Sequence, residues 1–80
     1  HDADAEKTAQ ITQATQQKEN LLALAASKIA PLQDAVDLEI ATEAEATLLL
    51  AWKKYRVLLN RINPYDAPDI SWPEKPVIQQ

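Results

Sequence analysis

Residues 42–64 read TEAEATLLLAWKKYRVLLNRINP, and they set the architecture of the chain. Thr42-Glu43-Ala44-Glu45 is a capping box: the Thr42 hydroxyl can accept the Glu45 amide, and the Glu45 carboxylate can reach back to the Thr42 amide. Glu43 places negative charge at the positive end of the helix dipole. The opposite limit is Asn63-Pro64, because proline restricts the residue before it and donates no hydrogen bond. A helix over about residues 43–62 is therefore predicted. Its large side chains fall at Leu48, Trp52, Tyr55, Leu59 and Ile62, an alternation of fours and threes. Leu49, Leu50, Ala51, Val57 and Leu58 widen that stripe well past the roughly 100° a surface helix needs. Such a helix should be touched on at least two sides.

Upstream, residues 4–38 are rich in Ala, Gln, Glu, Lys and Leu, a helical composition with acids in its first turn. Thr8, Ile11, Thr15, Lys18, Leu22, Ala25, Ile29, Leu32 and Val36 step by three and four without a break, the spacing of a coiled-coil seam. The seam is small or polar up to Lys18 and aliphatic from Leu22 onward. Pro31 falls inside it. A proline there removes one donor and clashes with the preceding turn, so the helix should kink, or break into a second short helix. Asp37 to Ala41 reads as the turn. The expectation is all-α: a long antiparallel helical hairpin, kinked or broken near Pro31.

Length sharpens this picture. At about 1.5 Å per residue the first helix is roughly 50 Å long and the second roughly 30 Å. Folded back, the second covers residues 21–38 of the first, so residues 1–20 should project as a stalk. Residues 63–80 hold four of the five prolines and predict an extended, partly polyproline-like tail. Tyr65 and Trp72 are expected to lie back on the hairpin, and Val77 to Gln80 to be disordered. Of the 37 apolar residues, 14 are alanine and only 23 are larger, and residues 1–20 contain just one of the larger kind, Ile11. The core is small for 80 residues, which calls for a partner surface. A homodimer through helix 1 would use Ile11, Leu22, Ile29, Leu32 and Val36 as its seam, with Leu48, Trp52, Tyr55, Leu59 and Ile62 in the hairpin or dimer core.

Composition excludes several kinds of chemistry. Without glycine there is no phosphate cradle, dinucleotide fingerprint or nucleophile elbow. Without cysteine there is no disulfide, thiolate nucleophile or cysteine metal site. The one histidine is the first residue, so a histidine metal cluster or a Ser-His-Asp triad is out of reach. No catalytic residue, metal ligand or cofactor is expected. No apolar run approaches the ~20 residues of a membrane span. The formal charge of −4 is uneven: residues 1–47 carry nine acids against three lysines, whereas residues 48–62 carry Lys53, Lys54, Arg56 and Arg61 with no acid. Four basic residues in an acidic chain do not make a nucleic-acid surface. They are read as pairing with Asp34, Asp37 and Glu39, or as contacting a protein partner together with Trp72.

Three stretches, taken together, resemble a known family. They are Ala30-Pro31-Leu32-Gln33-Asp34-Ala35-Val36-Asp37-Leu38, Leu50-Ala51-Trp52-Lys53-Lys54-Tyr55-Arg56-Val57-Leu58-Leu59-Asn60-Arg61, and Ala67-Pro68-Asp69-Ile70-Ser71-Trp72-Pro73. Their order and spacing are similar to the C-terminal region of the bacteriophage tail fibre assembly proteins of lambda-, P2- and Mu-like phages and related prophages. The middle stretch is the specific one, since amphipathicity alone would not select it. The resemblance implies a fragment of a longer protein whose preceding region is largely β. It implies a chaperone that assists folding and trimerisation of a phage tail fibre protein in the host bacterial cytoplasm, and in some members stays at the fibre tip. A structural coiled-coil oligomerisation module shares the helical features and is the alternative.

Overall fold

A computed structural model describes residues 3–76. His1, Asp2 and Val77 to Gln80, the last four expected to be disordered, lie outside the described residues. The described chain is all-α: α1 spans Ala3–Asp37 and α2 spans Glu43–Asn60, followed by a single 3-10 turn, Pro64–Asp66. The two helices pack as a hairpin measuring 57 × 20 × 18 Å, its length that of α1.

The cap expected at Thr42 is present in full. Thr42 Oγ1 accepts from the Glu45 amide at 3.0 Å, and Glu45 Oε1 accepts from the Thr42 amide at 2.9 Å. At the far end the Arg61 amide donates to the Leu58 and Leu59 carbonyls, so α2 closes slightly earlier than the proline signal suggested.

α1 continues through Pro31 without a break. Pro31 is exposed, where the ring meets solvent rather than core. Beyond Asp37 the chain turns with Glu39 at a positive φ of 61°. The Ile40 amide returns to the Ala35 carbonyl and the Glu39 amide to the Val36 carbonyl, the paired bonds of a Schellman cap. That position normally takes glycine, but this chain has none.

Among the described residues the core is a single cluster between the two helices. Ala25 and Ile29 of α1 meet Leu49, Trp52, Tyr55 and Leu59 of α2, with Leu21, Leu22, Leu24, Leu32, Leu48, Ile62 and Trp72 packed against them. Trp52 and Tyr55 stack edge to face, centroids 5.7 Å apart and planes at 80°, a favoured aromatic geometry.

The tail departs most from expectation. It is not extended throughout: Asn63 Oδ1 accepts the Tyr65 amide at 3.0 Å and starts the 3-10 turn, with Pro64 at its first position. The Ala67–Pro68 peptide is cis. From there the chain lies along the N-terminal half of α1. Ala67 is buried, as is Ala14 of α1, and Lys7 Nζ donates to the Ala67 carbonyl. The region expected to project as a bare stalk is therefore clothed between Lys7 and Lys18. Trp72 does lie back on the hairpin. Tyr65 does not, and it is 70% exposed.

Candidate partner-binding surface

The residues expected at the core and seam divide by burial. Ile29, Trp52, Tyr55 and Leu59 are buried, while Leu22, Leu32, Leu48 and Ile62 are half-buried against them. Leu49, read only as widening the stripe, is more deeply buried than Leu48. Ile11 is half-buried in the part of α1 that carries the tail, and Val36 is exposed near the hairpin tip. Leu22, Ile29 and Leu32 pack within the chain's own hairpin.

Lys18 occupies a seam position for a different reason. Its Nζ donates to the Ile62 carbonyl at 2.8 Å, and the Asn60 carbonyl lies 3.5 Å away. These carbonyls lie at the C-terminal end of α2, where helical acceptors lack partners and the dipole favours a cation. The switch from aliphatic to polar at this step of the seam was the available signal.

The basic residues do not form one patch. Spacing along α2 puts Lys53 and Arg56, both half-buried, on one flank, and Lys54 and Arg61, both exposed, on the outer face. Trp72 is on the opposite flank beside Leu21 and Tyr55. The register anchored by Lys18 and Ile62 sets Arg56 about level with Leu24 and Lys53 about level with Ser27. Asp34, Asp37 and Glu39 begin some seven residues further along, roughly 10 Å. The acids thus gather at the hairpin tip and the basic residues in its middle, in place of the face-to-face pairing expected.

The Trp52 indole N–H and the Tyr55 hydroxyl are buried without a hydrogen-bond partner. Burial pushes the Tyr55 phenol above its usual pKa. A buried hydroxyl without a partner costs desolvation that nothing returns. Tyr55→Phe is expected to raise unfolding free energy by about 1 kcal/mol, measured by urea titration. A loss of similar size would mean the hydroxyl is satisfied in solution.

Outside the core, Leu38 and Ile40 at the tip are each 69% exposed, and Leu50 and Val57 on α2 are 68% and 48% exposed. Among the described residues no group of His, Cys, Asp and Glu is placed to hold a metal ion, and no helix is long and apolar enough to cross a membrane. What the surface offers is protein contact: aliphatic side chains on a stiff two-helix frame, with charge of both signs.

The family model described as Caudovirales tail fibre assembly protein, lambda gpK, matches residues 1–77. Protein TfaD of Escherichia coli K12 is 62% identical over 76 residues, 95% of this chain and 41% of the relative. The tail fiber assembly protein of Escherichia phage lambda is 56% identical over 78 residues, 98% of this chain and 40% of the relative. Tail fiber assembly protein U of Escherichia phage Mu is 44% identical over 64 residues, 80% and 35%. The chain thus spans about two fifths of the length of the first two relatives. No solved structure matches it. Both the matched span and the identities place this chain in the tail fibre assembly protein family of tailed phages and their prophages.

Proposed function

We propose that this segment belongs to a chaperone that assists the folding and trimeric assembly of a phage tail fibre, acting by protein–protein contact in the host cell during assembly. Its relatives from phages lambda and Mu are tail fiber assembly proteins, which supports the role. The observation that carries the mechanism is the apolar surface left outside the core at Leu38, Ile40, Leu50, Val57 and Tyr65. Three fibre chains closing into a trimer present strand edges and apolar faces that aggregate if left bare. A stiff helical hairpin with spare aliphatic side chains can cover such faces and be displaced as the trimer closes. Retention at the fibre tip and homodimerisation belong to the same proposal.

Lys53, Lys54 and Arg56 are assigned to the fibre, with Arg61 and Trp72 as further candidate contacts. Replacing the three by alanine in the full-length protein should leave helicity unchanged, because none of them is among the buried residues of α2 and alanine is the strongest helix former. The yield of soluble trimeric fibre on co-expression should fall several-fold. Undiminished trimer with the three side chains gone would reject this assignment. Soluble trimer formed with the whole segment deleted would leave only the oligomerisation-module reading.

A further inference from the structure

Between the tail and the N-terminal half of α1 lies a groove of about 230 Å³. Its helix wall is a row of glutamines, Gln10, Gln13 and Gln17, and its tail wall is Pro68, Ile70 and Trp72. Ala14 and Ala67 complete the lining, so no residue around the groove carries a charge.

Both walls are short of hydrogen-bond partners. Among the described residues the glutamine amides that donate to a partner are Gln16, on Asn20, and Gln33, on Asp37. Gln10, Gln13 and Gln17 are engaged with nothing described. On the other wall, the last main-chain bond of the tail runs from the Asp69 amide to the Asp66 carbonyl. From Ile70 to Pro76 the chain makes no helix, turn or bend. Its amides and carbonyls over that run have no partner among the described residues. Alternate residues of an extended chain turn their main-chain groups to one edge. The edge of Ile70, Trp72 and Glu74 keeps every amide, whereas that of Ser71, Pro73 and Lys75 loses one to proline.

We propose that this groove binds an extended segment of the fibre chain by its main chain, before that segment is taken up into the trimer. The inference rests on the chaperone reading and deepens it by naming the form of fibre recognised. A glutamine amide offers a donor and an acceptor side by side, which is the pattern of a peptide group. An ion would satisfy only half of each amide. Gln10 to Gln17 span about 10 Å of helix axis, the length of about three extended residues. Pro68, Ile70 and Trp72 supply apolar surface for an alternate side chain of the same segment, the division of labour found where a strand is captured by its backbone.

Main-chain capture suits the task. The strands of a fibre differ in side chains but share a backbone, and a strand with an unpaired edge is the species that aggregates. Once the trimer closes, that edge is paired within the fibre and the groove has nothing left to hold. Release then follows from assembly itself.

The test is fluorescence anisotropy of labelled, overlapping short peptides covering the cognate fibre chain, titrated with the full-length protein. At least one peptide should bind. N-methylation of alternate amides in that peptide removes main-chain donors and should weaken binding about tenfold or more. The double variant Q13A/Q17A alters exposed positions with a strong helix former, so circular dichroism should be unchanged while the same peptide binds about tenfold more weakly. Gln16→Ala, between them but outside the groove lining, should bind as wild type. The inference is overturned if no fibre peptide binds, if N-methylation is without effect, or if Q13A/Q17A binds as tightly as Gln16→Ala. Side-chain amide resonances of Gln13 and Gln17 that shift with glucose and with no peptide would give the groove to neutral saccharides and equally overturn it. Co-expression with the fibre separates the two readings. Soluble trimer that needs the protein, from a wild type that binds no peptide, sinks the groove and leaves the chaperone standing. Peptide binding by a protein without which trimer forms equally well does the reverse.

Discussion

Leu59→Ala is expected to abolish cooperative unfolding of this segment at room temperature. Leu59 is the largest side chain here that is fully buried, at 0% exposure, and it closes the core formed by Ala25, Ile29, Leu49, Trp52 and Tyr55. Truncating such a leucine costs about 2.7–5 kcal/mol, from lost transfer energy and the cavity left behind. A chain with one small core has on the order of 3–5 kcal/mol in total. The two figures are of the same size. Helical circular dichroism should decline gradually on heating in place of a sigmoid, and the tryptophan emission should move to the red as Trp52 meets water. Leu50→Ala is the matched control: the same atoms are removed from a side chain already 68% exposed, so the midpoint should change little. A sigmoidal Leu59→Ala melt close to wild type would show that the hairpin is held by something other than this core.

The contrast between Leu59 and Leu50 also marks how far the sequence could be read. Periodicity located the inner stripe because every turn of α2 had to offer a large side chain to α1, and the capping box located its start because two reciprocal hydrogen bonds leave a four-residue signature. Pro31 was legible as a conflict but not in its resolution, since the missing donor and the clash with the preceding turn can kink a helix as well as end it. Leu48 and Leu49 are adjacent and chemically alike, and only the rotation of α2 about its axis decides which is buried.

The tail was the least legible part. Proline density argued for an extended path, yet Asn63 carried a competing signal, a side chain able to cap a turn with proline next in line. The partner-surface residues were hardest of all. Lys53, Lys54, Arg56 and Arg61 are close in sequence, but 100° per residue spreads them over a flank and an outer face. Trp72, brought in by the tail, lands on the other flank. Charge counts over sequence blocks suggested two helices attracted along their length, whereas the hairpin register slides the acids to the tip.

Ala14→Arg is expected to drive the tail off α1. Ala14 and Ala67 are both buried, beside a cavity of about 230 Å³ that Gln10, Gln13, Gln17, Pro68, Ile70 and Trp72 also line. An arginine at this point carries its charge in between Ala14 and Ala67, and burying a charge is costly unless it is paired. Leaving is cheaper for the tail, because what holds it outside the alanine contact is modest: the Lys7 bond to the Ala67 carbonyl, the Lys18 bond to the Ile62 carbonyl, and Trp72 half-buried against the core. The consequence falls on the other partner. Without the tail, residues up to Gln17 become a lone Gln- and Thr-rich helix, too short to persist well in water. Amide hydrogen exchange should therefore accelerate at least tenfold over the first four turns of α1, while the amides of Ile29 and Leu59 keep their protection. Ala9→Arg, at an exposed position of the same helix, should leave every rate close to wild type. Equal protection in Ala14→Arg and Ala9→Arg would mean that the N-terminal half of α1 is helical on its own account, with the tail a passenger on it.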